Sequence, residues 1–93
     1  MTLRLHVFQH VSFEGLGSLD AGFRAAGASI TVTRFFAGET PPAADAFDAL
    51  VVLGGPMGVY DESEFSWLVA EKRALRDAIE AGRPVLEIGR AHV

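Results

Sequence analysis

The chain has 93 residues, 49% of them apolar and 22% charged, the composition of one small folding domain or a piece of one rather than of a disordered segment. Its net charge of -4, with acids and bases interspersed, offers no basic stripe for a phosphate backbone and argues against a nucleic-acid partner. Cysteine is absent, and with it any disulfide framework, thiolate metal site or thiol nucleophile.

The opening "MTLRLHVF" goes straight into alternation, with Leu3, Leu5 and Val7 against Arg4, His6 and Phe8. This predicts a first strand whose second face is partly covered. No long apolar run accompanies it, so neither a signal peptide nor a membrane span is expected, and the expected location is cytoplasmic. After the loop "QHVSFEGLG", Ser18 is placed to cap a helix. Leu19, Phe23 and Ala26 recur there at helical spacing, and Gly27 supplies a left-handed stop. "ASITVTRFF" reads as a second strand, with Ile30 and Val32 on one face and Thr31 and Thr33 on the other, as near a sheet edge. "AGETPPAADAFD" returns the chain, and Pro41 and Pro42 argue against a long helix there.

"ALVVLGGP" is an uninterrupted apolar run that suits a parallel strand covered on both faces. Beyond "MGVYDESEF", Ser63 or Ser66 is placed to cap a second helix. Its expected inner face is Leu68, Leu75, Ala78 and Ile79, with Lys72, Arg73, Arg76, Asp77 and Glu80 toward water. Arg73 with Asp77 and Arg76 with Glu80 form i,i+4 pairs in the less favourable polarity. Gly82 and Pro84 end the helix, and "PVL" opens a fourth strand.

Strands alternating with helices in this order predict an α/β domain with a parallel sheet and right-handed crossovers, about four strands and two main helices. Ligands of such sheets bind beyond the carboxyl ends of the strands, which singles out residues 9–17 and 54–61. In the first loop Gly15 and Gly17 start like a dinucleotide fingerprint, but Asp20 stands at the third glycine position and the fingerprint fails. His10 and Glu14 are candidates for an acid-base pair with nothing to fix their geometry, and a solvated or loop-bonding role is the plainer reading. In the second loop, Gly54 and Gly55, ahead of Pro56, leave backbone N–H groups unpaired beyond the sheet, where no Cβ obstructs an approaching oxygen. Chemistry alone leaves three readings of it: a turn, an oxyanion-stabilising loop or a phosphate cradle. No cluster of His, Asp and Glu has ligand spacing, so no metal or cofactor is expected.

"FQHVSFEGLGSLD" and "VVLGGPMGVYDESEFSWLVAEKRALRDAIEAGRPVL", at the spacing they have here, resemble the amino-terminal part of class I glutamine amidotransferases. The type is the stand-alone one similar to the amidotransferase domain of GMP synthase, and the likeness covers residues 3–86. It implies a truncated flavodoxin-like, three-layer α/β/α domain. In that family a Cys-His-Glu triad hydrolyses glutamine to glutamate and ammonia for transfer to an acceptor. By resemblance Gly55 offers its N–H to the oxyanion, with Gly54 allowing the tight turn. Gly55, Pro56, Met57 and Gly58 form the implied glutamine-binding loop. No catalytic role passes to Tyr60, Asp61 or Glu62. Glutamine is the implied ligand, and an acceptor substrate or synthase partner belongs to the full-length protein. The acceptor itself, GMP precursors included, is not written in these residues.

After "PVL" the family continues with Gly, Ile, Cys, Leu, Gly, whereas this chain has Glu87, Ile88, Gly89 and Arg90. Gly89 takes the nucleophile position, and without a thiolate no acyl-enzyme forms, so the chain is expected to be inactive. His92 has no place in the triad. The alternative is a complete, non-catalytic α/β module that holds an anion or nucleotide on residues 54–58. The closing "IGRAHV" is also the translation of ATC GGA AGA GCA CAC GTC, followed by the stop TGA. Preceded by AG, that string begins a widely used sequencing-library adapter. A first G from a glycine codon plus AG gives GAG, which encodes Glu87. The expected division is therefore an amino-terminal part of one domain over residues 1–86 and a non-native tail over residues 87–93.

Overall fold

A computed structural model describes residues 2–10, 16–53 and 67–88. In chain order its elements are β1 (Arg4–Gln9), α1 (Ser18–Ala25), β2 (Ser29–Arg34), two short 3-10 turns (Phe35–Ala37 and Ala44–Ala46), β3 (Ala49–Leu53), α2 (Trp67–Glu80) and β4 (Val85–Ile88). The strands form one parallel sheet in the order β2-β1-β3-β4. This is the flavodoxin-like order, in which the chain first steps to one side of β1 and then crosses to the other.

The alternation seen in the sequence becomes the two faces of the sheet. On one face Phe8, Phe35, Phe47, Leu50 and Ala78 are buried together, with Val52, Ala74, Leu75 and Val85 against them. On the other, Val7, Val51 and Leu53 are buried among Leu16, Ile30, Val32 and Ile88. The central strands β1 and β3 carry the core on both sides, as the unbroken run "ALVVL" predicts. At the amino ends of these strands the Arg4 guanidinium grips Asp48, with Nη2 to Oδ1 at 3.1 Å, and the Arg4 N–H donates to the same carboxylate at 2.8 Å. Those bonds hold the Asp48 carboxyl below its ordinary value and set the register of β3 against β1.

Both helices end as expected. Gly27 and Gly82 have φ of 92° and 77°, and the next residues close the turn through Ala28 N–H to the Phe23 carbonyl and Arg83 N–H to the Ala78 carbonyl. The start of α1 and the faces of both helices differ from expectation, while Ser63 and Ser66, the expected caps of α2, lie outside the described residues. Gly17, at φ 60°, is the residue before α1, and Ser18 lies inside the helix without a capping bond. Eight residues give α1 a narrow footing, which falls mainly on β2: Phe23 is half-buried while Leu19 and Ala26 are exposed. On α2 the buried stripe is Glu71, Ala74, Leu75 and Ala78, and Ile79 is 60% exposed. One residue is 100° of helical rotation, enough to carry Ile79 off a stripe centred on Ala78. Lys72, Arg73, Arg76, Asp77 and Glu80 face outward as predicted, but neither expected i,i+4 pair is among the ion pairs of the described residues.

β4 extends two residues past "PVL", pairing Glu87 with Val52 and Ile88 with Leu53. Strand pairing is backbone chemistry that any residue but proline supplies, so it is indifferent to the origin of these two.

His6 is the polar member of the aromatic face. It is 5% exposed, stacked on Phe47, and each ring nitrogen lies 2.6 Å from a hydroxyl, Nδ1 from Thr31 and Nε2 from Thr33. A hydroxyl both donates and accepts, so a neutral ring satisfies both contacts. Burial pushes the imidazole down to about 4, against the opposing pull of Glu39. The folded value lies below the unfolded one, so the stability tied to the neutral ring is fully present above pH 6.5 and is lost as pH falls from there to about 4. Urea midpoints are expected to decline across that window in the wild type and to flatten in His6→Gln. An equal decline in both would sink the assignment.

Candidate functional site

The sheet order changes direction between β1 and β3, and their carboxyl ends lie side by side. This is the switch point at which open α/β sheets bind ligands. Both loops singled out by sequence leave the sheet here, one after Gln9 and one after Leu53. Gly54, Gly55, Pro56, Met57 and Gly58 lie outside the described residues, as do Glu14, Gly15, Gly89 and His92. What is described is the floor beneath them.

That floor is built around His10, the residue that follows β1. Its ring is 5% exposed and lies nearly parallel to Phe35, with centroids 5.7 Å apart and 13° between the planes. Nδ1 is 2.6 Å from the Leu53 carbonyl oxygen and Nε2 is 2.5 Å from Oε2 of Glu71. Glu71, on the buried stripe of α2, is itself 7% exposed. The structure therefore pairs His10 with Glu71, joins it to the strand that ends in Leu53, and removes it from solvent. Sequence reasoning considered Glu14 as the partner and missed Glu71. The signal for Glu71 was present: it stands three, four and seven residues before Ala74, Leu75 and Ala78, a carboxylate in an apolar helical stripe.

An open groove of about 650 Å³ lies at the β2 edge, bordered by His6, Thr31, Thr33, Gly38, Glu39 and Thr40. Its titratable groups are already engaged, the neutral His6 ring with the two threonines and Glu39 with the Arg34 N–H at 2.7 Å. The switch point remains the better candidate.

No protein-family model matches the chain. Over 90 residues it is 37% identical to the glutamine amidotransferase-like protein YfeJ of Salmonella typhimurium, a match covering 92% of this chain and 38% of YfeJ. A crystal structure of a glutamine amidotransferase from Thermotoga maritima superposes with a TM-score of 0.86 at 27% identity, over 91% of this chain and 37% of that one. The chain is glutamine amidotransferase-like. A second crystal structure, that of SMU.1228c, superposes with a TM-score of 0.81 at 26% identity, over 89% of this chain and 37% of its own. The flavodoxin-like α/β fold of the chain is thus a partial glutamine amidotransferase fold, spanning somewhat over a third of the length of each relative. No helix among the described residues is long and apolar enough to cross a membrane.

Proposed function

We propose that residues 1–86 are the amino-terminal part of a cytoplasmic class I glutamine amidotransferase domain, of the type similar to that of GMP synthase. The full-length protein hydrolyses glutamine to glutamate and ammonia for an acceptor. In this reading Gly54 and Gly55 form the oxyanion loop, and Gly55, Pro56, Met57 and Gly58 bind glutamine. The observation that carries it is the place of Leu53: the strand leading into Gly54 ends at the switch point of a sheet that superposes on a glutamine amidotransferase at a TM-score of 0.86. N–H groups held rigidly beyond such a strand favour developing negative charge.

An oxyanion loop acts only on a bond under attack, and the 93 residues include no cysteine to attack it. The 93-residue chain is expected to release no glutamate from glutamine above the buffer rate. Resequencing the 3′ end of the gene from source DNA, with a primer inside "VVLGGPMGVYDE", is expected to continue the frame past Leu86 into a cysteine codon, and the extended protein is expected to release glutamate. Codons for "EIGRAHV" and a stop in the genome would overturn the division at residue 87. The absence of cysteine would then favour the second reading, a binding module holding an anion or nucleotide on residues 54–58.

A further inference from the structure

β2 is an edge strand, paired with β1 alone. The Ser29 N–H donates to the Leu3 carbonyl at 2.8 Å, which fixes where every peptide group of the strand points. In the register that sets Ser29 beside Arg4, Ser29, Thr31 and Thr33 turn their N–H and C=O groups toward β1, and Ile30, Val32 and Arg34 turn theirs outward. Both ends of the outward row are engaged within the chain. The Arg34 N–H donates to Oε1 of Glu39 at 2.7 Å, and the Arg34 carbonyl accepts from the Glu39 N–H at 3.2 Å. At the other end the Ala28 N–H donates to the Phe23 carbonyl at 3.0 Å. Between these ends, the outward groups of Ile30 and Val32 have no partner among the described residues. We propose that this two-residue window docks a second copy of the chain, the two β2 strands running antiparallel about a two-fold axis at Thr31.

The window is complementary to itself. An axis at Thr31 sets Ile30 opposite the partner's Val32 and Val32 opposite the partner's Ile30, and each pair exchanges two N–H to C=O bonds, four in all. Neighbouring registers satisfy fewer groups. An axis at Val32 sets Ile30 against Arg34, whose groups Glu39 already holds, and an axis at Ile30 sets Val32 against Ala28, whose N–H is given to Phe23. Charge agrees with this register, because Arg34 falls opposite an alanine and no like charges meet. Side chains agree as well: Ile30 and Val32 share one face and meet as β-branched apolar pairs, while exposed Thr31 meets its own copy on the other. Residues 29–33 include no proline, glycine or charged residue, the devices by which an edge strand turns a second one away. A contact of this kind uses the same patch on both copies and closes at two.

The footing is short. Five strand residues span about 17 Å, well below the roughly 1,200 Å² of surface that a stable dimer buries. The association is therefore expected to be weak and reversible, with half-dimerisation at about 0.1–1 mM chain.

Sedimentation equilibrium of the 93-residue chain from about 10 μM to about 1 mM tests this, with a monomer–dimer equilibrium expected. Val32→Pro removes an outward N–H from each copy, two of the four bonds, and takes nothing from the ladder with β1. It is expected to weaken the dimer by about 10-fold or more. The control lies on the opposite edge. The Leu50 N–H donates to the Pro84 carbonyl, so Glu87 of β4 also points its N–H outward, and Glu87→Pro is expected to leave dimerisation unchanged. Amide hydrogen exchange of the wild type decides the matter even where Val32→Pro does not fold. The amides of Ile30 and Val32 are expected to gain protection as concentration rises, while those of Thr31 and Thr33, bonded to β1, are protected throughout. A chain that stays monomeric to about 1 mM, a dimer weakened equally by both prolines, or exchange at Ile30 and Val32 that ignores concentration would each overturn the proposal. Protection of those two amides by an added extended peptide of unrelated sequence, in a chain that stays monomeric, would replace the second copy by a peptide partner.

Discussion

Phe8→Ala is expected to take the chain to the edge of unfolding at room temperature. Phe8 is fully buried near the carboxyl end of β1, edge-on to Phe35 at 5.1 Å and to His6 at 5.7 Å between centroids. It lies over the register pairs with Thr33 of β2 and Val52 of β3, so its ring touches the face where three strands meet α2. Replacing a buried phenylalanine by alanine costs about 3–5 kcal/mol, the lost transfer energy plus the cavity left behind. A domain of this size has about 5–10 kcal/mol in all, and a core this thin has few side chains able to collapse into the hole. Far-UV circular dichroism with urea titration checks it. A cooperative transition displaced by less than about 1 kcal/mol would show that the aromatic face is not the core.

The second large effect is expected from Glu71→Ala, at about 3–5 kcal/mol. The substitution leaves Nε2 of a buried imidazole without its carboxylate, and the desolvation already incurred by His10 goes uncompensated. Replacing both members by apolar residues of similar size, His10→Phe with Glu71→Leu, is expected to cost less than the sum of the single changes, because no polar group is then stranded. Urea titrations of the four proteins form the cycle. Strict additivity would mean that the two side chains are neighbours without being partners.

The contrast between these two sites shows what the sequence made legible. Phe8 and Leu50 were placed by local pattern, since alternation and an uninterrupted apolar run are properties of a few adjacent residues. The stops at Gly27 and Gly82 were legible for the same reason, each being a local backbone conformation that glycine adopts without strain. His10 and Glu71 stand 61 residues apart, and their bond exists only once α2 has packed over the sheet. Periodicity marks a charged residue on a buried stripe but does not name its partner. The inward placement of Ile79 failed on a subtler point: a face drawn through Leu68, Leu75, Ala78 and Ile79 runs one residue past Ala78, on which the buried stripe is centred, and leaves out Glu71. The end of β3 at Leu53 followed directly from where the apolar run ends.

The all-parallel sheet also dictates when this protein is able to fold. Every strand of it pairs with one separated by a whole crossover, and no hairpin brings neighbours together early. On the ribosome β1 emerges first, yet its partners begin only at Ser29 and Ala49, so the most buried strand of the molecule waits longest without hydrogen bonds. Loop closure must be achieved before any ladder forms, which makes assembly slow for the size of the chain. Through that interval Leu5, Val7 and Phe8, which end up buried, have no strand beside them to cover their backbone.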